Sequence, residues 1–209
     1  FDLDNNGRPS GNYVGMLENP DRIDGTFIER SMDRLSKPKG LNILSVCRPM
    51  DSGSYEADAI ESILSNAHMS IEAFILDAPA RNPFGHQLLM KTGLVFIVTT
   101  LDLIGARDAI ALKHNLNQQN YAGEIRLIVN RKGEMKVGEL SIDELEKKIG
   151  IPVAALPFDP RGPGQAMISG RSVLDFPGPL SRAFLDLVAP HLPHGVPPSK
   201  KSFMSRILG

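Results

Sequence analysis

From Leu41 onward, short runs of β-branched and apolar residues alternate with stretches whose apolar positions recur at helical spacing. LNILSV, IEAFILDA, LVFIVTT, EIRLIVN and PVAALPF are the β-rich runs, and a segment of different periodicity follows each. Such alternation predicts parallel strands joined by crossover helices. Several of the runs are apolar at nearly every position, as expected of strands covered on both faces. The predicted fold class is therefore α/β, a doubly wound, mostly parallel sheet with helices on both faces. Between the strands, Tyr55 to Asn66, Leu101 to Leu116 and Leu180 to Leu192 carry amphipathic helical patterns. Ser141 and Glu144 form a capping box ahead of Leu145 and Ile149, and Gly150 stops that helix. Upstream, Gly7 to Gly40 opens rich in Gly, Asn and Pro, which predicts a loop, and Thr26 to Leu35 predicts a short helix.

A chain of 209 residues with 42% hydrophobic and 22% charged positions predicts one globular domain with a tail. The domain takes residues 1–192 and is expected to be incomplete at its N-terminus, because FDLD reads as the carboxyl end of a strand without its beginning. Residues 193–209 form a Pro-rich linker, with Pro193, Pro197 and Pro198, and a short amphipathic basic tail. A net charge of −1 offers no global attraction for nucleic acid, which is not an expected partner. The single cysteine, Cys47, lies in an apolar run and reads as a buried structural thiol in a reducing compartment. No run approaches the roughly 18 to 20 apolar residues that span a bilayer, and no signal-peptide pattern opens the chain, so a cytoplasmic location is expected.

In an open parallel sheet, ligands gather beyond the carboxyl ends of the strands. Asp4, Asp77, Asn130 and Asp159 each follow a β-rich run. Taken singly, Asp and Asn end strands because their side chains bond to nearby backbone groups. Taken as an ordered set, they point to one crevice. His68, His86, His114, His191 and His194 show no spacing that suggests zinc. Neither the Gly-x-Ser-x-Gly of an α/β-hydrolase nor the Gly-x-Gly-x-x-Gly of a dinucleotide fold occurs.

The ordered motifs FDLDNNG, FILDAPA, LVFIVTTLDLIGARDAIAL, LIVNRKG and IPVAALPFD resemble those of MinD/ParA-type ATPases. More narrowly, PDRIDGTFIERSMDRLSKPKGLNILSV looks like a segment of the CpaE/TadZ pilus-assembly ATPases of Flp/Tad systems. The likeness extends to His191. It implies ATP and magnesium as ligands, with Asp4 ordering the attacking water and Asp77 holding magnesium through a water; Asp2 reads as structural. Pro79 completes the Asp-x-Pro of that motif. Asn130 is implied to read the adenine edge, for which its amide supplies donor and acceptor together. Arg131 stands beside it, stacked or solvated, and Pro157 and Asp159 flank the base. An ATP-promoted homodimer and pilus or secretion assembly proteins are the implied partners.

The family's Gly-rich loop ending in Gly-Lys-Ser/Thr would precede FDLD, and no such motif occurs in this sequence. Lys201-Ser202 is no substitute, since it lacks the glycines whose N–H groups cradle phosphates. As given, the chain is expected to bind ATP poorly and to hydrolyse it negligibly, either as a fragment of a longer ATPase or as a pseudo-ATPase. Its tail, Ser199 to Gly209, places Phe203, Met204, Ile207 and Leu208 on one helical face beside Lys200, Lys201 and Arg206. This resembles the membrane-targeting tail of MinD, and implies weak docking at the anionic inner face of the cytoplasmic membrane. The bland alternative is a tail that packs on its own domain or frays in solvent. The function so implied is an ATP-dependent localisation switch for pilus or secretion machinery. Alternatives are a non-hydrolysing interaction module of the same fold, a division-site ATPase or a partition ATPase.

Overall fold

A computed structural model describes residues 23–34, 41–44, 57–67, 71, 73–78 and 83–191. They fall into two units, the first ending at Lys91 and the second beginning at Thr92.

In the first unit, helix α1 spans Gly25–Ser31, strands β1 and β2 are Asp33–Arg34 and Asn42–Ile43, and helices α2 and α3 are Ala57–Ala67 and Pro83–Met90. Asp24 caps α1 by accepting the Phe27 N–H at 2.6 Å. The Asn66 amide of α2 donates to the Ile23 carbonyl at 3.0 Å, tying that helix to the start of α1. Ile23, Ile28, Ile63 and Leu88 form the buried centre, with Leu44, Ile71, Leu76 and Ala78 packed against it. At the unit's end, Lys91 pairs with Glu61 at 2.6 Å.

The second unit is a three-stranded parallel sheet, in the order β3 (Leu94–Thr99), β4 (Glu124–Lys132), β5 (Val153–Pro157). Helix α4 (Leu103–Gln118) connects the first pair of strands and α5 (Ile142–Ile149) the second. Helices α6 (Gly162–Ser169) and α7 (Pro179–Val188) follow β5, and a short 3₁₀ turn at Ala189–His191 closes the unit. Central position explains the apolar run in β4. Leu127, Ile128 and Val129 are all buried, as a strand flanked by neighbours and covered on both faces must be. Ile128 joins Leu156 of β5 and Leu180 of α7 in a cluster that Val173, Phe184 and Leu187 extend. Burying each such aliphatic side chain contributes about 1.5–3 kcal/mol.

The sequence-predicted strands at LVFIVTT, EIRLIVN and PVAALPF match β3, β4 and β5, and the helical patterns match α2, α4, α5 and α7. Upstream the structure departs from expectation. The described part of LNILSV pairs antiparallel with Asp33–Arg34, at the end of the stretch that predicted helix. Residues 71 and 73–78, from the run IEAFILDA, lie in no ladder among the described residues, and Ile75 is 95% exposed. An apolar, β-branched run signals burial, but a strand exists only when a partner's backbone groups meet it. Here Leu76 and Ala78 pack against the first unit's core, with no ladder among the described residues. On β3, Phe96 and Val98 are exposed while Val95 and Ile97 are buried, so among the described residues that strand is covered mainly on one face.

Candidate functional site

The carboxyl ends of β4 and β5 build the best-defined polar corner of the second unit. Val129 faces Ala155 and Lys132 faces Pro157, so Asn130 and Arg131 together stand opposite Leu156. This is a β-bulge, which puts one extra residue into β4 and re-aims the side chains there. Arg131 absorbs the distortion with a φ of 60°, a left-handed conformation that costs a non-glycine residue about 1 kcal/mol or more. Two local contacts hold it. The Asn130 Oδ1 accepts the Arg131 N–H at 2.9 Å, and the Arg131 guanidinium pairs with Glu134. Beyond the bulge, the Phe158 N–H donates to the Lys132 carbonyl at 2.8 Å, which keeps the two strand ends together.

Asn130 is exposed, and its amide N–H groups and second Oδ1 lone pair remain for a ligand. The Arg131 guanidinium carbon lies 5.6 Å from the centre of the Phe158 ring, forming a flat cation–π wall beside it. Asp159 folds back on the helix that follows. Its Oδ1 accepts N–H groups of Arg161 and Gly162, both at 2.9 Å. These bonds, the Gly162 N–H first and the Arg161 N–H second, hold its carboxyl below the usual aspartate value. A Cβ at Gly162 would stand 2.4 Å from Asp159 Oδ2, so a side chain there would have to displace that carboxylate.

Asn130, Arg131, Pro157 and Asp159 are thus brought to one corner, where Asp159 works as a helix cap. Asp77 lies in the first unit, exposed between Leu76 and Ala78, in a segment outside any ladder among the described residues. Asp4, Cys47, Pro79 and the tail residues Lys200, Lys201, Phe203, Met204, Arg206, Ile207 and Leu208 lie outside the described residues. No group of three or more His, Cys, Asp or Glu side chains that could hold a metal occurs among the described residues. Magnesium bound mainly through phosphate oxygens and water needs no such protein cage.

Sequence reasoning missed Phe158, although it stands in the quoted PVAALPF, because an aromatic ending an apolar strand carries the signal of core. It also missed the end of β3. There the Thr100 hydroxyl bonds to Asp102, and Asp102 Oδ1 accepts the Gly105 N–H at 2.8 Å to cap α4. The Thr100 bond first and the Gly105 N–H second lower the Asp102 pKa. The available signal was Thr-x-Asp directly ahead of a helical period.

No protein-family model and no curated protein matches the sequence. Solved structures do. The chain is similar to a ParA family ATPase from Chlorobium tepidum TLS, with a TM-score of 0.71 and 22% identity over 90% of this chain and 77% of that one. It is similar to a MinC:MinD cell division protein complex from Aquifex aeolicus, with a TM-score of 0.70 and 19% identity over 92% and 76% of the two chains. A septum site-determining protein MinD complexed with Mg-ADP, from Pyrococcus horikoshii OT3, gives a TM-score of 0.62 at 12% identity over 87% and 79%. At such identities the likeness speaks for architecture, and the chain has the α/β fold that ParA and MinD ATPases share.

Proposed function

We propose that this chain is an ATPase-type localisation switch for pilus or secretion assembly, of the CpaE/TadZ kind. The observation that carries the reading is the bulged corner at Asn130, placed where a parallel sheet receives ligands, in a fold shared with ATPases of which one holds Mg-ADP. Asn130 offers the donor and acceptor that the adenine edge needs, Arg131 and Phe158 offer a flat wall, and Pro157 and Asp159 shape the loop. By resemblance Asp77 takes the magnesium role and Asp4 the water-ordering role, while bound magnesium would neutralise charge on the phosphates. Hydrolysis would need a Gly-rich phosphate-binding loop, and no such motif occurs within these 209 residues. Dimerisation would pair two weak tails and convert nucleotide state into residence at the membrane, since linked weak sites bind by effective concentration. A MinC:MinD cell division protein complex is among the structures of this fold, which supports a protein partner for this chain.

The test is genetic and direct. Deleting the gene should remove surface pili, leaving cell division and plasmid partition intact, and binding to anionic vesicles should vanish when residues 199–209 are removed. Misplaced septa or plasmid loss would instead assign the chain to division or partition. Salt-sensitive DNA binding in place of vesicle binding would count against the membrane reading.

A further inference from the structure

The second unit carries a groove of about 760 Å³ between α4 and α5, lined by none of the residues of the Asn130 corner. Its floor and walls are Leu103, Ile104 and Ile110 of α4 with Leu140 and Leu145. Leu103 is 73% exposed and Ile104 64%, at the exposed opening of α4, while Leu145 is fully buried beneath them. The groove is held open by structure. The Leu140 N–H donates to the Leu101 carbonyl at 2.7 Å, Ser141 caps α5, and Asp102 caps α4. Leu103, Arg107 and Ile110 recur at helical spacing, so one edge of the groove is a continuous helix face. Contiguous apolar surface of this kind, rimmed by charge, marks an interaction site, in contrast to scattered single exposed residues.

The charge on the rim selects the occupant. Arg107, Lys147 and Lys148 line the groove against a single carboxylate, Glu144. Arg107 is partly offset by Asp108 at 3.5 Å, while Lys147 and Lys148 form no ion pair among the described residues. The chain's own tail, SKKSFMSRILG, has an apolar face but is cationic, so it meets like charge at this rim. A second copy presenting the same groove meets the same repulsion. An amphipathic helix with acidic flanks satisfies both floor and rim.

We infer that the α4–α5 groove docks an acidic amphipathic helix of a partner protein, with its apolar stripe on Leu103, Ile104 and Ile110 and its carboxylates at Lys147 and Lys148. The inference stands whether or not the nucleotide reading holds. It is tested on the full 209-residue chain by fluorescence anisotropy with two labelled helical peptides. Both carry leucines at i, i+3, i+4 and i+7, one flanked by glutamates and the other by lysines. The glutamate peptide should bind, more weakly as salt rises. The K147E/K148E variant should weaken it by about tenfold or more and prefer the lysine peptide. The K147Q/K148Q variant should give an intermediate loss, and Ile104→Ser should lower binding of either peptide. Equal binding of the two peptides, indifference to charge reversal, or failure of both to bind would overturn the proposal. So would a gain of glutamate-peptide binding on removing residues 199–209, which would make the tail the natural occupant.

Discussion

Arg131 and Gly105 show how single residues set the polar ends of this sheet. Arg131 accepts a left-handed backbone so that β4 can end in a bulge, and that bulge presents Asn130. Gly105 has the opposite role, because it leaves space. A Cβ at this position would meet the Thr99 Oγ1 at 2.7 Å and the Thr100 carbonyl at 2.8 Å. One of those atoms is backbone and cannot swing away, so Gly105→Ala should destabilise the second unit by about 1–3 kcal/mol, read as a lower urea midpoint. An unchanged midpoint would show that β3 and α4 shift freely. The strand-end aspartates carry a second prediction. Hydrogen bonds depress Asp102 and Asp159 below their unfolded value, so their stabilisation is complete at neutral pH and disappears as pH falls through the folded-state pKa. The melting temperature of the wild-type chain should exceed that of D102N near pH 7, and the gap should narrow below about pH 4. A gap that stays constant into acid would mean that the charge on Asp102 contributes nothing.

Among the elements, α5 was the most legible in the sequence, and the structure bears out its N-cap, buried face and C-cap. The Ser141 Oγ accepts the Glu144 N–H at 3.2 Å, Leu145 and Ile149 are buried, and Gly150 closes the helix at a φ of 72°. Ser141→Ala should cost about 1 kcal/mol and Gly150→Ala a similar amount, and each should loosen the α4–α5 groove, as faster amide exchange in α5 would report. Protection equal to wild type would deny the caps that role. The strands β3, β4 and β5 were legible for a different reason, since each is a short apolar run bounded by polar or turn residues. The segment 73–78 has a similar composition but lies in no ladder among the described residues, and a one-dimensional pattern carries no information about which backbone lies alongside. For the same reason the antiparallel pairing of Asp33–Arg34 with Asn42–Ile43 could not be read, as Asp33–Arg34 has no strand pattern and the run LNILSV does not name its partner.

For the whole molecule, fold and function rest on different supports. The α/β architecture follows from alternating periodicities and is shared with ParA and MinD structures at identities of 22% and below. The site was legible as residue types at strand ends, but its working geometry was not. The bulge depends on register, and the Arg131–Phe158 stack depends on that bulge. Neither has a local signature. The central claim is that this corner receives an adenine base. Its most direct test is amide chemical-shift mapping of the 209-residue chain during titration with Mg-ATP and, separately, Mg-GTP. Adenine presents a donor at C6 where guanine presents an acceptor, and the bond from the Arg131 N–H to Asn130 Oδ1 fixes which side of the amide accepts, so the two bases should not fit Asn130 equally. The account predicts weak, saturable shifts with ATP, centred on Asn130, Arg131, Phe158 and Asp159, and little response there to GTP. Shifts that avoid these amides, or that are the same for both nucleotides, would contradict it.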